Sequence, residues 1–228
     1  MRTIIVLLIL FLSILSCNKP NNKQGNLLVK GKIKGLRLGT ILLEKLDNDT
    51  IKSIDSIKVD GKENFEFNTT IKQPQVLTLS ISEVKDSKIN FFAAPNDTIQ
   101  IYTFLETFAL KPVIFGGKNQ EKWQEYKDML QKFTDKEMDM FKAEFDASKK
   151  NQTKLSDSLK AAFNRLLKKK QLYKLNYIFL NKNLPISAYL GLTEFYNNEK
   201  ALDTIYKILP ENIKKTKYGK KIEKILKK

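Results

Sequence analysis

Histidine is absent from this chain, and cysteine occurs once, as Cys17. Without imidazole there is no Ser-His-Asp triad and no histidine-held catalytic zinc. Nor is there a side chain whose ordinary pKa makes it switch charge near neutrality. A single thiol cannot close an internal disulfide, form a Cys-x-x-Cys redox pair or build a structural zinc site. Arginine is nearly missing too, with only Arg2, Arg37 and Arg165, and arginine is the side chain that forks onto phosphates and guanine. These shortages predict a protein that is not an enzyme, uses no cofactor, holds no metal and binds no nucleic acid.

Against those absences stands an excess of lysine. The 228-residue chain has 41 basic and 25 acidic side chains, a formal charge of +16. The excess is uneven. Residues 17–118 have a net charge of +4, residues 119–147 of −3 and residues 148–228 of +14. Scattered lysines such as Lys168, Lys169, Lys170, Lys220 and Lys221 read as solvated faces. With 42% hydrophobic residues, the chain is long enough to bury a core of its own.

The first residues carry an address. Arg2 precedes an apolar run from Ile4 to Leu12, which resumes at Ile14 and Leu15. That run is too short for the ~30 Å hydrocarbon core, which needs about 20 residues, but it suits a signal-peptide core. Ile14-Leu15-Ser16-Cys17 follows and resembles a lipobox, in which the cysteine sulfur takes a diacylglycerol and cleavage before it frees an amine for a further acyl chain. Two or more chains anchor stably where one does not. Residues 1–16 are therefore expected to be a lipoprotein signal peptide, Cys17 the lipidation site, and residues 17–26 a polar, flexible tether. Asn18 is not the Asp that retains many lipoproteins at the inner membrane, so the expected location is the cell envelope, at the outer membrane facing the periplasm.

Beyond the tether the chain has two textures. From Leu27 to Phe115 apolar residues alternate with polar ones in about eight short runs broken by Gly, Pro, Asn or Asp, as at Gly39, Asp60-Gly61, Gln73-Pro74 and Pro95-Asn96-Asp97. This predicts an antiparallel β-sandwich over residues 27–118. Past Gly116-Gly117 the period becomes helical. Trp123, Tyr126, Leu130, Phe133, Met140 or Phe141, and Phe145 mark one long helix; Leu155, Leu159, Phe163, Leu166 and Tyr173 mark a second. The polar break Lys149-Lys150-Asn151 folds them into a hairpin, and shorter helices are expected at 186–196, 200–209 and from Thr216 onward. The fold class is thus α+β, with an α-helical region over 119–228 and aromatic stripes reserved for core packing.

The order of these segments resembles the uncharacterised N-terminal domain that precedes the thioredoxin-like module in lipid-anchored TlpA-like thiol-disulfide oxidoreductases. Lys30-Gly31-Lys32-Ile33, Ile54-Asp55-Ser56, Asp60-Gly61 and Phe65-Glu66-Phe67 carry the likeness first. Phe91 to Ile99, Phe115 to Asn119, Asn183 to Ala188 and Tyr218 to Ile222 extend it along the mature chain. The family's redox activity does not carry over. The thioredoxin-like module would begin where this sequence stops, and thiol-disulfide exchange needs an attacking thiolate and a resolving partner.

Other motifs read as structure. Gly116-Gly117-Lys118 is followed by Asn119, without the glycine spacing and Ser or Thr of a P-loop, and reads as a strand-to-helix turn. Asp47-Asn48-Asp49 lacks the later glycine and glutamate of a calcium loop and reads as a hairpin turn. Asp135, Glu137 and Asp139, two residues apart, read as solvated. One pattern recurs: Asp, then Ser or Thr, then an aliphatic residue, at Thr50, Ser56, Thr98, Ser158 and Thr204. It looks like the O-glycosylation acceptor of exported proteins in some diderm bacteria, set against ordinary turn and cap use of the same residues.

Together these readings predict a non-catalytic envelope lipoprotein that binds or positions another component, with the membrane as partner through its anchor. The alternatives are an accessory of a separately encoded thioredoxin-like protein, or a truncated product of such a system. A less favoured one is a carboxylate-dependent hydrolase of envelope sugars, which requires an acidic cleft with paired carboxylates.

Overall fold

The computed structural model describes residues 25–47 and 50–227. The signal peptide, Cys17 and most of the expected tether lie outside the described residues. The tether's last two residues do not hang free. Gly25 donates its N–H to Asn68 Oδ1, and the Asn26 amide exchanges two 2.9 Å hydrogen bonds with the Ile71 backbone.

Eight strands form two four-stranded sheets among the described residues. They are β1 (Leu27–Lys34), β2 (Leu38–Asp47), β3 (Thr50–Asp60), β4 (Asn64–Thr69), β5 (Gln75–Ile81), β6 (Lys88–Ala93), β7 (Thr98–Phe104) and β8 (Val113–Phe115). One sheet runs β4-β1-β7-β8, the other β3-β2-β5-β6. The alternation seen in the sequence becomes the two sheet faces: Val29, Phe67, Ile99 and Ile101 meet Ile41, Leu43, Leu77, Leu79 and Phe91 in one sandwich core. One pairing departs from the expected antiparallel pattern, because β1 and β7 are parallel, with Gly31 opposite Ile101. A methyl group at Gly31 would run into the Ile101 carbonyl oxygen, so the closeness of these strands depends on glycine.

Six helices follow: α1 (Lys118–Lys149), α2 (Thr153–Leu180), α3 (Pro185–Glu194), α4 (Glu199–Ile208), α5 (Glu211–Lys214) and α6 (Lys217–Leu226). The short α5 was not foreseen. Pro210 and Thr216 bracket it, the latter capping α6 through Gly219 N–H. Gly116 and Gly117 both adopt left-handed φ, at 91° and 76°, and turn the chain from β8 into α1 as the spacing predicts.

In the sheet β3-β2-β5-β6 the strands β5 and β6 are largely buried, whereas β3 is mostly exposed. On β6, Ile89, Phe91 and Ala93 enter the sandwich while Phe92 points the other way, into a second core shared with Tyr126, Tyr177, Ile186, Ile205, Tyr218 and Ile222. Two backbone donors left over by the sheet are taken by helices. Phe92 N–H, on the edge strand, donates to Gln120 Oε1 at 2.8 Å. Val76 N–H, on β5 beyond the last residue that β2 pairs with, donates to Tyr218 Oη at 2.8 Å.

The hairpin packs as the aromatic stripes predict only in its inner half. Tyr126, Phe133, Tyr173 and Tyr177 stack there with ring centroids 5.2–6.0 Å apart. Farther out, Phe141, Phe145 and Leu155 remain 49–60% exposed. Helices of 32 and 28 residues, about 48 and 42 Å at 1.5 Å per residue, run past the body that would cover them. Glu137, expected to be solvated, instead turns inward and pairs with Lys170 at 3.0 Å, each side chain less than one-fifth exposed, while Asp135 and Asp139 are exposed.

Replacing Tyr218 by Phe keeps the ring and removes the acceptor for Val76 N–H. The expected loss is about 1–3 kcal/mol for a buried donor left unpaired. Thermal unfolding should register it as a lower Tm, at roughly 2–4 °C per kcal/mol for a chain of this size; an unchanged Tm would refute this role.

Candidate functional site

A lysine-lined cleft opens where the second sheet meets α6. Its origin lies in the strands. The pairing of β2 with β3 shifts between Leu43 and Glu44, leaving Ile54 without a partner, and β2 pairs with β5 only as far as Lys45 opposite Leu77. Past that point the β2–β3 hairpin leaves β5, and α6 covers only part of the gap. Two adjoining cavities result, of about 440 and 290 Å³, and Lys45, Lys217 and Lys221 line both. Lys72 from the loop before β5 adds a further cation to the larger cavity, and Lys88 adds one to the smaller.

Lys217, the first residue of α6, is the centre of this arrangement. Its ammonium donates to the Leu46 carbonyl and, at 3.4 Å, to Gln75 Oε1. Burial lowers its pKa first, the neighbouring Lys221 and Lys45 lower it further, and Asp47 only partly opposes them. The carboxylates present are engaged elsewhere. Asp47 is held by Lys52 at 2.9 Å, whose hydrogen bond and charge keep its pKa low, and Glu44 accepts the Ser80 hydroxyl at 2.7 Å. Thr70, Gln73, Gln75, Thr78 and Asn90 supply neutral hydrogen-bonding groups to the walls, with Tyr189 and Tyr218 at one end. The chemistry on offer is anion recognition: several cations, few opposing charges and a ring of amides and hydroxyls. Among the described residues Asp47 lines the larger cavity and Glu44 the smaller.

None of this is written in local spacing. Lys45, Lys72 and Lys217 come from three distant segments, and each reads singly as a solvated lysine. The residues that the sequence does single out are not brought together. Thr50 opens β3, Ser56 lies within it, Thr98 opens β7, Ser158 is inside α2 and Thr204 inside α4. All five hydroxyl-bearing residues are exposed. Turn and cap use does not explain the two helical ones, since α4 is capped by Asn198 and neither Ser158 nor Thr204 sits at a helix start. Cys17 lies outside the described residues. Among the described residues no group of three or more Cys, Asp or Glu side chains is placed to hold a metal ion, and no helix is long and apolar enough to cross a membrane.

The depressed pKa of Lys217 sets a pH dependence. Its charged form costs the folded state at every pH below the lowered value. That cost is relieved as pH rises through the folded pKa toward the ordinary lysine range. The stability difference between wild type and Lys217→Gln should therefore shift in favour of wild type over that alkaline window. Urea unfolding of both proteins from pH 8 to pH 10.5 measures it, and parallel curves would contradict the assignment.

No curated protein matches the chain. From β1 through the first turns of α1, residues 27–123, the sequence matches the family model described as a domain of unknown function (DUF4369), a stretch that takes in the whole sandwich and the strand-to-helix turn beyond it.

Proposed function

We propose that this protein is a non-catalytic binding module of the cell envelope, anchored at its amino terminus through acylated Cys17, whose cleft holds an anionic group of its ligand. The observation behind this reading is the half-buried Lys217 flanked by Lys45 and Lys221, with the adjacent carboxylates occupied by Lys52 and Ser80. Each ammonium here gains from an arriving anion more than a solvated lysine does, because part of its hydration is already gone. Neutral donors and acceptors around it would orient the rest of the ligand. Outer-membrane residence facing the periplasm rests on the Ile14-Leu15-Ser16-Cys17 pattern and on Asn18.

Isothermal titration with inorganic pyrophosphate tests the cleft. Wild type should bind, and Lys217→Ala/Lys221→Ala should weaken binding by tenfold or more, equivalent to about 1.4 kcal/mol. A control, Lys168→Ala/Lys169→Ala, removes the same charge from the hairpin and should leave affinity within twofold. Equal losses in both variants would reduce the effect to net charge and remove the site.

The anchor and the five Asp-Ser/Thr sites share one measurement. Intact mass of the native protein from membranes should show a chain beginning at Cys17 with added acyl mass. Hexose-type increments should disappear when Thr50, Ser56, Thr98, Ser158 and Thr204 are replaced by Ala. A retained leader would end the lipoprotein reading, and an acylated chain without sugar would end the glycosylation reading alone.

A second reading is an accessory role beside a separately encoded thioredoxin-like protein. It rests on the likeness of the sandwich and helical segments to the domain that precedes such modules. A reading frame encoding Cys-x-x-Cys immediately downstream would favour it.

A further inference from the structure

The outer half of the α1–α2 hairpin carries a surface that nothing else in the described protein uses. Hydrogen bonds and ion pairs made by residues 138–168 stay within the hairpin: Glu144 accepts from Ser148 and Ser156, and Lys160 sits 3.6 Å from the same carboxylate. Along α1, Met138, Phe141 and Phe145 recur at helical spacing and are 52%, 60% and 50% exposed. Beside them a groove of about 250 Å³ runs between the helices, walled by Phe141, Leu159 and Phe163. Two phenylalanines and a methionine kept in water over about two turns of one helix form the kind of apolar patch that marks an interaction surface.

Charge says what the use is. Residues 138–168 hold seven basic and four acidic side chains, and one of the four, Glu144, is neutralised by its own neighbours. Lys149 Nζ lies 4.5 Å above the Phe145 ring, and Lys150 and Lys154 follow at the tip. An aromatic wedge bordered by lysines fits the boundary between acyl chains and anionic headgroups. Rings and aliphatic stems enter the apolar layer there while ammonium groups remain among phosphates. A second copy of the chain is a worse occupant, since face-to-face packing would bring two lysine-bordered strips together.

We infer that the outer hairpin face, built on Met138, Phe141 and Phe145 with Lys149 and Lys160, docks on an anionic lipid surface. This contact is independent of acylation at Cys17 and of the lysine cleft.

Both cores lie within residues 27–222, so the chain from Gly25 to Lys228 contains every residue that builds them. Co-sedimentation of that chain with vesicles tests the inference without the anchor. Binding is expected to vesicles of phosphatidylglycerol and phosphatidylcholine at low salt, and not to phosphatidylcholine alone. Phe141→Ser/Phe145→Ser should weaken it at least tenfold, and circular dichroism should show that variant folded, since both rings are exposed. Lys58→Ala/Lys62→Ala, which removes two exposed charges outside both the hairpin and the cleft, should bind vesicles as wild type does. The inference fails if the anionic vesicles do not bind the chain, or if Phe141→Ser/Phe145→Ser binds them unchanged. It fails equally if sedimentation equilibrium finds a dimer that this variant dissociates.

Discussion

Burial of the edge strand β6 on both of its faces joins the two cores of this structure. Neighbours on β6 divide the work: Phe91 enters the sandwich and Phe92 the helical core, and both are fully buried. Burying a side chain of that size is worth about 1.5–3 kcal/mol, and here consecutive residues bind the sheet to two different layers. The two hydrogen bonds from Phe92 N–H to Gln120 and from Val76 N–H to Tyr218 set the position of the helices, because each buried donor must find an acceptor.

The same constraint produces the cleft. A sheet that stayed regular would pair β2 with the whole of β5 and leave no room for a side-chain acceptor at Val76. The register shift at Leu43 and Glu44 turns the β2–β3 hairpin away, and Tyr218 fills the vacated hydrogen-bonding position. Its neighbour Lys217 is thereby carried into the opening and left partly dehydrated beside Lys45 and Lys221. The residue that docks the helix and the lysine at the centre of the cleft are adjacent in the chain, so the integrity of the fold and the geometry of the cleft are tied together.

The hairpin obeys a different balance. Its inner half is fastened by stacked tyrosines and by the Glu137–Lys170 pair, a charged layer that is shielded from water on most sides. Its outer half has the same apolar repeat with no third element among the described residues to cover it. Identical periodicity therefore yields core in one half and a presented surface in the other.

Much of this was legible in advance. Period-two alternation located all eight strands, because a strand between a core and a second surface shows its facing in every other residue. The change to a 3.6-residue period located the long helices, and Gly116-Gly117 marked the turn from β8 into the first of them, since glycine takes left-handed φ there without strain. What the amino-acid order determined alone was therefore the local period and the breaks. Tertiary structure decided the rest: the parallel neighbours β1 and β7, the inward turn of Glu137, which aromatic residues are buried, and the meeting of Lys45, Lys72, Lys217 and Lys221. Those outcomes depend on distances between segments far apart in the chain. A local repeat records which way a side chain faces, not what stands opposite it.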